Sequence, residues 1–438
     1  MKPTKTGAMR RLDASEPGFA EDFAALVDDR RESDADVSAD VAAIIARVKS
    51  EGDAALADYT AKFDRFDLDA SGWSISKEDC AAAYEALAPD LRSALDLAAE
   101  RIRAYHAAQL PEDRDYRDAT GARLGARWNA VDAAGVYVPG GRAAYPSSVL
   151  MNIIPAKVAG VERIVMMTPT PGGEVNPVVM AAAHIGGVDE IWRVGGAQAV
   201  AALAFGTGRI APVDVVTGPG NAWVAEAKRQ VYGVVGIDMV AGPSEIVVVA
   251  DNRNAPHVIA ADLLSQAEHD PTSQSILFTD DAVFGDAVAA AVAGVIPVLA
   301  TASTMAASWG DNGAVIIVPT LTDAIPLCDR LAPEHLELAV DAEVADALFA
   351  KVRHAGSVFL GRHTPEAIGD YVAGPNHVLP TGRRARFSSG LSVGDFMKRT
   401  SFLALDESAL RAIGPAAVAL AGAEGLPAHA LSVQNRLN

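Results

Sequence analysis

Short apolar runs alternate with stretches of helical periodicity between about residues 128 and 360, and this alternation constrains the fold more than any other feature. The runs begin at Ala134, Arg163, Glu190, Asp214, Glu245, Ser275, Ala314 and Ser357, and several end in glycine or proline. Such runs predict buried strands, and strands separated by helices predict a parallel sheet with ligand-binding loops at the strand ends. The spacing favours two α/β units that join near residue 245.

The two ends of the chain follow other patterns. Before residue 130 the chain reads mainly as helix, because apolar residues recur at helical spacing over residues 37–49 and 80–109. Residues 381–400 are basic and rich in glycine and serine, which predicts an exposed segment or linker. A short alanine-rich helix and a polar tail are predicted to complete the chain.

Composition excludes several classes of function. The net charge of −19 argues against nucleic acid and against an anionic membrane surface as partners. With only Cys80 and Cys328, neither a disulfide framework nor a cysteine-rich zinc site is available, so a metal would need His, carboxylate or amide ligands. The first residues are charged, and no uninterrupted apolar run reaches about 18 residues. We therefore expect a soluble cytoplasmic protein.

Residues 265–270, Ser-Gln-Ala-Glu-His-Asp, close a run with apolar residues at helical spacing. On a helix Gln266 and His269 share one face, because they stand three residues apart. An imidazole beside an amide oxygen can bind a borderline metal such as zinc, although glutamine is an unusual ligand. The same spacing fits a polar helix end with a solvated histidine, and both interpretations stay open at this point.

Glu334 and His335 place a carboxylate directly next to an imidazole, in the sequence Pro-Glu-His-Leu-Glu. Adjacent residues do not face each other on a helix, so we expect the pair to converge on a ligand from a helix start or a loop. There they could divide general-base work, one activating water and the other taking an alcohol proton. A surface Glu-His pair is the alternative.

Several isolated polar residues are further candidates. Asp370 and His377 lie in a stretch rich in glycine and proline after a predicted strand, where functional side chains collect. Glu424 and His429 lie near the C-terminus. Each also fits an ordinary polar loop residue. Cys328 could be a nucleophile for aldehyde oxidation, but its helical position favours a buried structural thiol.

No segment matches the Gly-x-Gly-x-x-Gly fingerprint of ordinary dinucleotide-binding domains. The turn Gly-Pro-Gly-Asn at residues 218–221 precedes a predicted helix. It could offer backbone N–H groups and the Asn221 side chain to a nucleotide, or it could simply be a turn.

The motifs taken together resemble the histidinol dehydrogenase family over residues 30 to 435. They include Gly-Val-Tyr-Val-Pro-Gly-Gly, Val-Gly-Gly-Ala-Gln-Ala-Val, Thr-Gly-Pro-Gly-Asn, Ala-Gly-Pro-Ser-Glu, Leu-Leu-Ser-Gln-Ala-Glu-His-Asp, Leu-Ala-Pro-Glu-His-Leu-Glu, Asn-His-Val-Leu-Pro-Thr, Phe-Met-Lys-Arg-Thr-Ser and Glu-Gly-Leu-Pro-Ala-His. Their order as well as their sequence matches the family. The resemblance implies a zinc-dependent and NAD-dependent oxidation of L-histidinol to L-histidine.

The resemblance also implies a role for each candidate residue. Glu334 and His335 would be catalytic, and one zinc per subunit would be held by Gln266, His269, Asp370 and His429. The substrate contacts would be Ser244, Gln266, His269, His335, Asp370, His377, Glu424 and His429. Tyr137, Gln198 and Asn221 would contact NAD. Family members are homodimers with shared active sites, so Glu424 and His429 would come from the partner.

The fold that the resemblance implies is α/β, with two incomplete Rossmann-like parallel-sheet domains and small helical N- and C-terminal segments. The expected division is an N-terminal helical segment at 1–32 and a domain with the catalytic and metal residues at 33–135 and 246–380. An NAD-contacting domain at 136–245 and a C-terminal segment at 381–438 that reaches the partner subunit complete it.

In the expected mechanism, His335 takes the alcohol proton and later acts again as base, while Glu334 activates the water that hydrates the aldehyde. Three alternatives remain at this point. One is a related zinc- and NAD-dependent dehydrogenase of another polar alcohol, and a second is a zinc hydrolase in which Glu334 activates a metal-bound water. The third is an α/β binding protein without catalysis.

Overall fold

The alternation of strands and helices is present in the computed structural model, which describes residues 7–29, 37–140, 145–240 and 242–438. The strands are β1 (Arg10–Asp13), β2 (Arg114–Arg117), β3 (Arg123–Ala130), β4 (Ala133–Tyr137), β5 (Arg163–Met167), β6 (Glu190–Trp192), β7 (Val215–Thr217), β8 (Gly236–Ile237), β9 (Glu245–Ala250), β10 (Gln274–Thr279), β11 (Ala314–Ile317), β12 (His335–Ala339), β13 (Ser357–Leu360) and β14 (Met397–Ala404).

The helices of the described residues are α1 (Phe19–Asp28), α2 (Ser38–Glu51), α3 (Asp53–Asp64), α4 (Leu68–Ser71), α5 (Lys77–Glu85), α6 (Pro89–Ala107), α7 (Pro146–Ala159), α8 (Pro177–Gly186), α9 (Gly196–Phe205), α10 (Ala222–Val231), α11 (Pro256–Ala267), α12 (Ala282–Val295), α13 (Ala302–Asn312), α14 (Leu321–Leu331), α15 (Ala342–Phe349), α16 (Glu366–Tyr371), α17 (Glu407–Ala423) and α18 (Pro427–Leu437). No helix in these ranges combines the length and apolar character needed to cross a bilayer.

A six-stranded sheet has the order β1-β11-β10-β9-β12-β13, and all of its strand pairs are parallel. Helices α11, α12 and α13 pack on one face of it, and α1, α14 and α15 pack on the other. Strand β1 extends this sheet at one edge, so the N-terminal segment predicted to be helical also contains a strand. Part of that segment, residues 1–6 and 30–32, lies outside the described residues.

A five-stranded parallel sheet has the order β6-β5-β4-β7-β8. From β4 the chain proceeds outward through β5 to β6 and then crosses back to β7 on the other side of β4. The carboxyl ends of β4 and β7 therefore flank a topological switch point, the place where open α/β sheets usually bind ligands. The α/β class with two parallel sheets is confirmed.

The predicted grouping of residues 33–135 with the catalytic sheet differs from the packing. Helices α2 and α3 bury their apolar faces against α9 and α10 on one face of the five-stranded sheet. Helices α5 and α6 pack with α7 and α8 on the other face of the same sheet. Periodicity identifies the apolar face of each helix but not the sheet that covers it, which explains the difference.

Residues 381–400 do not form a simple exposed linker. Leu391, Val393 and Phe396 are buried in the core that also covers the five-stranded sheet. Strand β14 then pairs antiparallel with β3 over its whole length, in a three-stranded sheet of order β14-β3-β2. The basic residues of this region had suggested exposure, but apolar residues between them are in the core.

The switch point of the six-stranded sheet is closed by charged side chains. The order in which the chain adds strands reverses between β9 and β12, and Asp251 and Asp341 follow the carboxyl ends of these two strands. Arg362 donates to both oxygens of Asp251, at 2.6 and 2.7 Å, and from Nε to Asp341 at 2.9 Å. Only 16% of the Arg362 side chain is exposed. These ion pairs therefore fill the crevice at the carboxyl ends of β9 and β12.

Candidate active site

Glu334 and His335 lie at the amino end of the six-stranded sheet, where β12 begins between β9 and β13. His335 is the first residue of a strand, not of a helix, and both side chains are buried. Glu334 Oε2 accepts the backbone N–H of Glu245 at 2.9 Å, and His335 Nδ1 lies 3.0 Å from the Glu245 carbonyl oxygen. A carbonyl can only accept, so Nδ1 donates a proton to this contact, and the contact favours the tautomer with the lone pair on Nε2.

Helix α16 brings two carboxylates to His335. Glu366 and Asp370 stand four residues apart and so share a helix face. Glu366 Oε1 lies 3.6 Å from His335 Nε2. Ligand atoms of His335, Glu366 and Asp370 all lie within 4.8 Å of one another, the one such group of His, Cys, Asp or Glu in the described ranges. Both His335 Nε2 and Glu366 Oε1 are buried without a hydrogen-bond partner.

Two further carboxyl groups, those of Glu337 and Asp262, lie next to this cluster. Glu337 follows His335 by two residues on the same face of β12, and its Oε2 accepts the backbone N–H of Glu366 at 3.1 Å. Ser265 Oγ donates to Glu366 Oε2 at 2.9 Å. Asp262 on α11 is hydrogen-bonded to Glu337. Ser265 on α11 thus holds the Glu366 side chain, and Glu337 on β12 holds the Glu366 backbone.

Burial and neighbouring negative charges disfavour the ionised form of several carboxyl groups in and beside the cluster. Burial, followed by the charge of Glu366, raises the pKa of Asp370 to about 7. Burial raises the pKa of Asp262 to about 6 and, with the Asp262 charge, holds the pKa of Glu337 well above its usual range. Desolvated carboxylates close to one another favour the protonated form, and a divalent cation would remove that penalty. The site is therefore suited to a metal ion or a cationic ligand.

Gln266 and His269 do not share a helical face as predicted. Helix α11 ends at Ala267, and His269 lies in the turn beyond the C-cap, where its N–H donates to the Gln266 carbonyl oxygen at 3.2 Å. Gln266 is buried and His269 is exposed. Gln266 lies on α11 together with Asp262 and Ser265, and His269 follows this helix directly.

His377 connects the cluster to the other sheet. Its Nδ1 lies 3.0 Å from the Asp370 carbonyl oxygen, and its Nε2 lies 3.3 Å from Ser148 Oγ on α7. Burial lowers the pKa of His377 to about 4, so the ring is neutral. Ser244 directly precedes Glu245, whose backbone holds both Glu334 and His335. These two predicted substrate contacts therefore lie beside the cluster.

Glu424 and His429 are not part of the cluster within one chain. Glu424 is the C-cap of α17, and His429 lies on α18, a helix with no buried residue. The two helices pack mainly against each other. Their predicted contribution to the active site of a partner subunit remains a prediction.

The predicted NAD contacts surround the switch point of the five-stranded sheet. Tyr137 ends β4, and its hydroxyl accepts the N–H of Gly196 at 3.1 Å. Gln198 lies in the first turn of α9 and is 2% exposed. Asn221 is the N-cap of α10, where its side chain accepts from Trp223 and Val224. Gly141, which ends the predicted turn after β4, lies outside the described residues.

Neither cysteine has the surroundings of a nucleophile. Both thiols are free and buried. Burial raises the pKa of Cys80 to about 11 and raises the pKa of Cys328 well above its usual range. A thiol in this state is protonated and unreactive near neutral pH, which makes the covalent alternative at Cys328 untenable.

The fold and the cluster are typical of a two-domain α/β enzyme with one site on each sheet. The histidinol dehydrogenase family model matches residues 27–437. Histidinol dehydrogenase from Zymomonas mobilis subsp. mobilis is 65% identical over 428 residues, 98% of this chain and 99% of that protein. Histidinol dehydrogenase from Rhodospirillum rubrum is 61% identical over 98% of each chain. The crystal structure of histidinol dehydrogenase from Elizabethkingia anophelis matches with a TM-score of 0.93 and 35% identity, over 98% of each chain. The chain belongs to the histidinol dehydrogenase family.

Sequence reasoning missed Asp262, Glu337 and Glu366. Their spacing from predicted site residues was visible in the sequence. Glu366 precedes Asp370 by one helical turn, and Asp262 precedes Gln266 by one helical turn. Glu337 follows His335 by two residues, so both lie on the same face of a strand.

We predict that Glu366→Gln weakens binding of a divalent metal about tenfold, the range seen when a group supporting a ligand is altered. The amide keeps the size and the contact from Ser265 but removes a negative charge beside Asp370. The measurement is zinc retention against a competing chelator, with the exposed Glu343→Gln on α15 as the control. Equal zinc retention in both variants would show that the negative charge of Glu366 does not contribute to metal binding.

Proposed function

We propose that this protein oxidises L-histidinol through L-histidinal to L-histidine, the last steps of histidine biosynthesis, with NAD as hydride acceptor and one zinc per subunit. Family membership gives the reaction. The observation that carries the chemistry is a buried His335 with an unpaired Nε2, next to Glu334 and above a cluster of carboxyl groups. The proposed setting is the cytoplasm, with neither nucleic acid nor membrane as a partner.

The cluster fits a divalent cation on its own chemistry. Glu366 Oε1 is buried without a hydrogen-bond partner, and burial together with the charge of Glu366 raises the pKa of Asp370 to about 7. The proposed ligands are Gln266, His269, Asp370 and His429 of the partner subunit, a nitrogen and oxygen set that suits zinc. When bound, zinc supplies coordination of the imidazole and amine of L-histidinol and so orients the substrate. Asp370 thus links the proposed ligands to the cluster.

His335 is the proposed base. The Glu245 carbonyl oxygen fixes the tautomer in which Nε2 is free, so Nε2 accepts the proton of the substrate hydroxyl during the first oxidation. The same atom accepts a proton again when the hydrated aldehyde is oxidised. NAD supplies the acceptor for the hydride in each of the two oxidations. The position of the His335 side chain next to the substrate then depends on the pairing of β12 with β9 and β13.

Glu334 is the proposed activator of water. The Glu245 N–H holds Glu334 Oε2, which lies 3.7 Å from His335 Nδ1, so the backbone of Glu245 positions both side chains. A carboxylate held in this way can take a proton from the water that adds to the aldehyde carbon. The division of work requires no thiol, in agreement with the burial of both cysteines.

The remaining contacts follow from the two sheets. Ser244 and His377 flank the cluster and are the proposed substrate contacts of the same chain. Glu424 of the partner subunit would complete the substrate site, which requires a homodimer. Tyr137, Gln198 and Asn221 are the proposed NAD contacts. Burial raises the pKa of Tyr137 to about 12, so its hydroxyl keeps a proton to donate.

The direct test is production of NADH from L-histidinol by the zinc-loaded protein. We expect two NADH for each histidine formed, because the alcohol and the hydrated aldehyde each lose one hydride. One NADH per substrate would indicate an alcohol dehydrogenase that stops at the aldehyde. No turnover of histidinol beside turnover of another polar alcohol would overturn the substrate assignment.

Glu334→Gln should separate the two oxidations. Glutamine retains an oxygen for the Glu245 N–H but cannot act as a base near neutral pH. We expect histidinol oxidation to fall by less than about tenfold and oxidation of supplied histidinal to fall by about 10²–10⁴. Both rates are measured by NADH formation, with Glu343→Gln as the matched control. Equal losses in the two half-reactions would show that the division between Glu334 and His335 is wrong.

A further inference from the structure

A fully buried ion pair lies beneath the switch point of the five-stranded sheet. Lys228 on α10 contacts Asp238, which follows β8, and the two side chains are 2% and 1% exposed. A buried pair of this kind seldom stabilises a fold more than well-packed apolar residues would, because desolvation offsets most of the attraction. Stability alone therefore does not explain the presence of this pair, and its contacts with the backbone suggest another role.

Both members of the pair bind the backbone of Gly218. Lys228 Nζ donates to the Gly218 carbonyl oxygen at 3.0 Å, and the Gly218 N–H donates to Asp238 Oδ2 at 2.9 Å. One residue is thus held through both of its backbone groups by two opposite charges. Hydrogen bonds to charged partners are stronger and more directional than those between neutral groups.

Gly218 is the residue at which the turn after β7 begins, and its position is tightly constrained. Its φ is +110°, a conformation that side chains rarely adopt, and a Cβ would lie 2.1 Å from the Tyr137 carbonyl oxygen. The turn therefore touches β4 directly at the residue that carries the Tyr137 hydroxyl. A shift of Gly218 would move both Tyr137 and Asn221, which lie on either side of the switch point.

We propose that Lys228 and Asp238 are positioning residues for the NAD-contacting turn at residues 218–221. This inference rests on the proposed function, because it assumes that the turn contacts NAD. The pair fixes Gly218 against β4 and so sets the distance between the Tyr137 and Asn221 side chains across the crevice. Neither Lys228 nor Asp238 reaches the cofactor, since both side chains are sealed beneath the turn.

The test is a double variant, Lys228→Met with Asp238→Leu, which removes both charges and leaves neither one buried alone. We expect KM for NAD⁺ to rise at least about tenfold, while KM for histidinol changes less than about twofold, because only the cofactor turn loses its anchor. Lys157→Met serves as the control, since Lys157 on α7 forms an ion pair with Asp189, the residue before β6, without contacting Gly218.

A folded double variant with an unchanged KM for NAD⁺ would overturn the inference and reduce the pair to a structural one. If the double variant does not fold, Asp238→Asn decides, because it keeps an oxygen for Gly218 but loses the charge. A rise of about threefold or more in KM for NAD⁺ supports the inference, and no rise overturns it. Calorimetric titration of NAD⁺ into the wild-type protein and each variant tests the positioning role of the ion pair separately from the proposed function. A wild-type protein that binds NAD⁺ without oxidising histidinol would overturn only the proposed function.

Discussion

Four carboxyl groups lie close together under one imidazole, and the cost of burying their charge is the constraint on which the rest of the site depends. Asp262, Glu337, Glu366 and Asp370 come from α11, β12 and α16, so the cluster exists only when these elements pack together. Hydrogen bonds from Ser265 and from the Glu366 N–H satisfy part of it. The unpaired Glu366 Oε1 and the raised pKa of Asp370 are what remains for a cation to balance.

In the proposed site, the two parallel sheets use opposite ends. Arg362 closes the switch point of the six-stranded sheet, whereas the predicted NAD contacts surround the switch point of the five-stranded sheet. The proposed catalytic pair, Glu334 and His335, instead lies at the amino end of β12, where backbone groups of Glu245 hold both side chains. His377, in contact with Ser148 on α7, connects the cluster to the helix layer of the other sheet. Through His377, the cluster is thus connected to both parallel-sheet units.

Much of the fold could be predicted from sequence, because strands buried on both faces give continuous apolar runs such as those of β9 and β10. Strand β12 was missed since His335 and Glu337 interrupt its apolar pattern, and both side chains belong to the site. Strand β1 was missed since an edge strand with the sequence Arg-Arg-Leu-Asp lacks that pattern altogether. Helix periodicity could not assign α2 and α6 to a sheet, because it does not identify the packing partner.

The site was predictable to a different depth for each residue. The family motifs pointed to His335 and Asp370, and the structure brings both into one cluster. Glu366 has no place among the predicted residues, although its spacing from Asp370 was visible. The proposed roles of Glu424 and His429 require a second chain. The local sequence around these residues carries no physical information about their position relative to a partner subunit.

Anomalous X-ray diffraction at the zinc absorption edge, from crystals of the zinc-loaded protein, tests the central claim most directly. The account predicts one peak per chain, within about 2.0–2.2 Å of an Asp370 carboxylate oxygen and beside Gln266 and His269. A zinc peak away from Asp370, with the cluster of carboxyl groups free of metal, would contradict it.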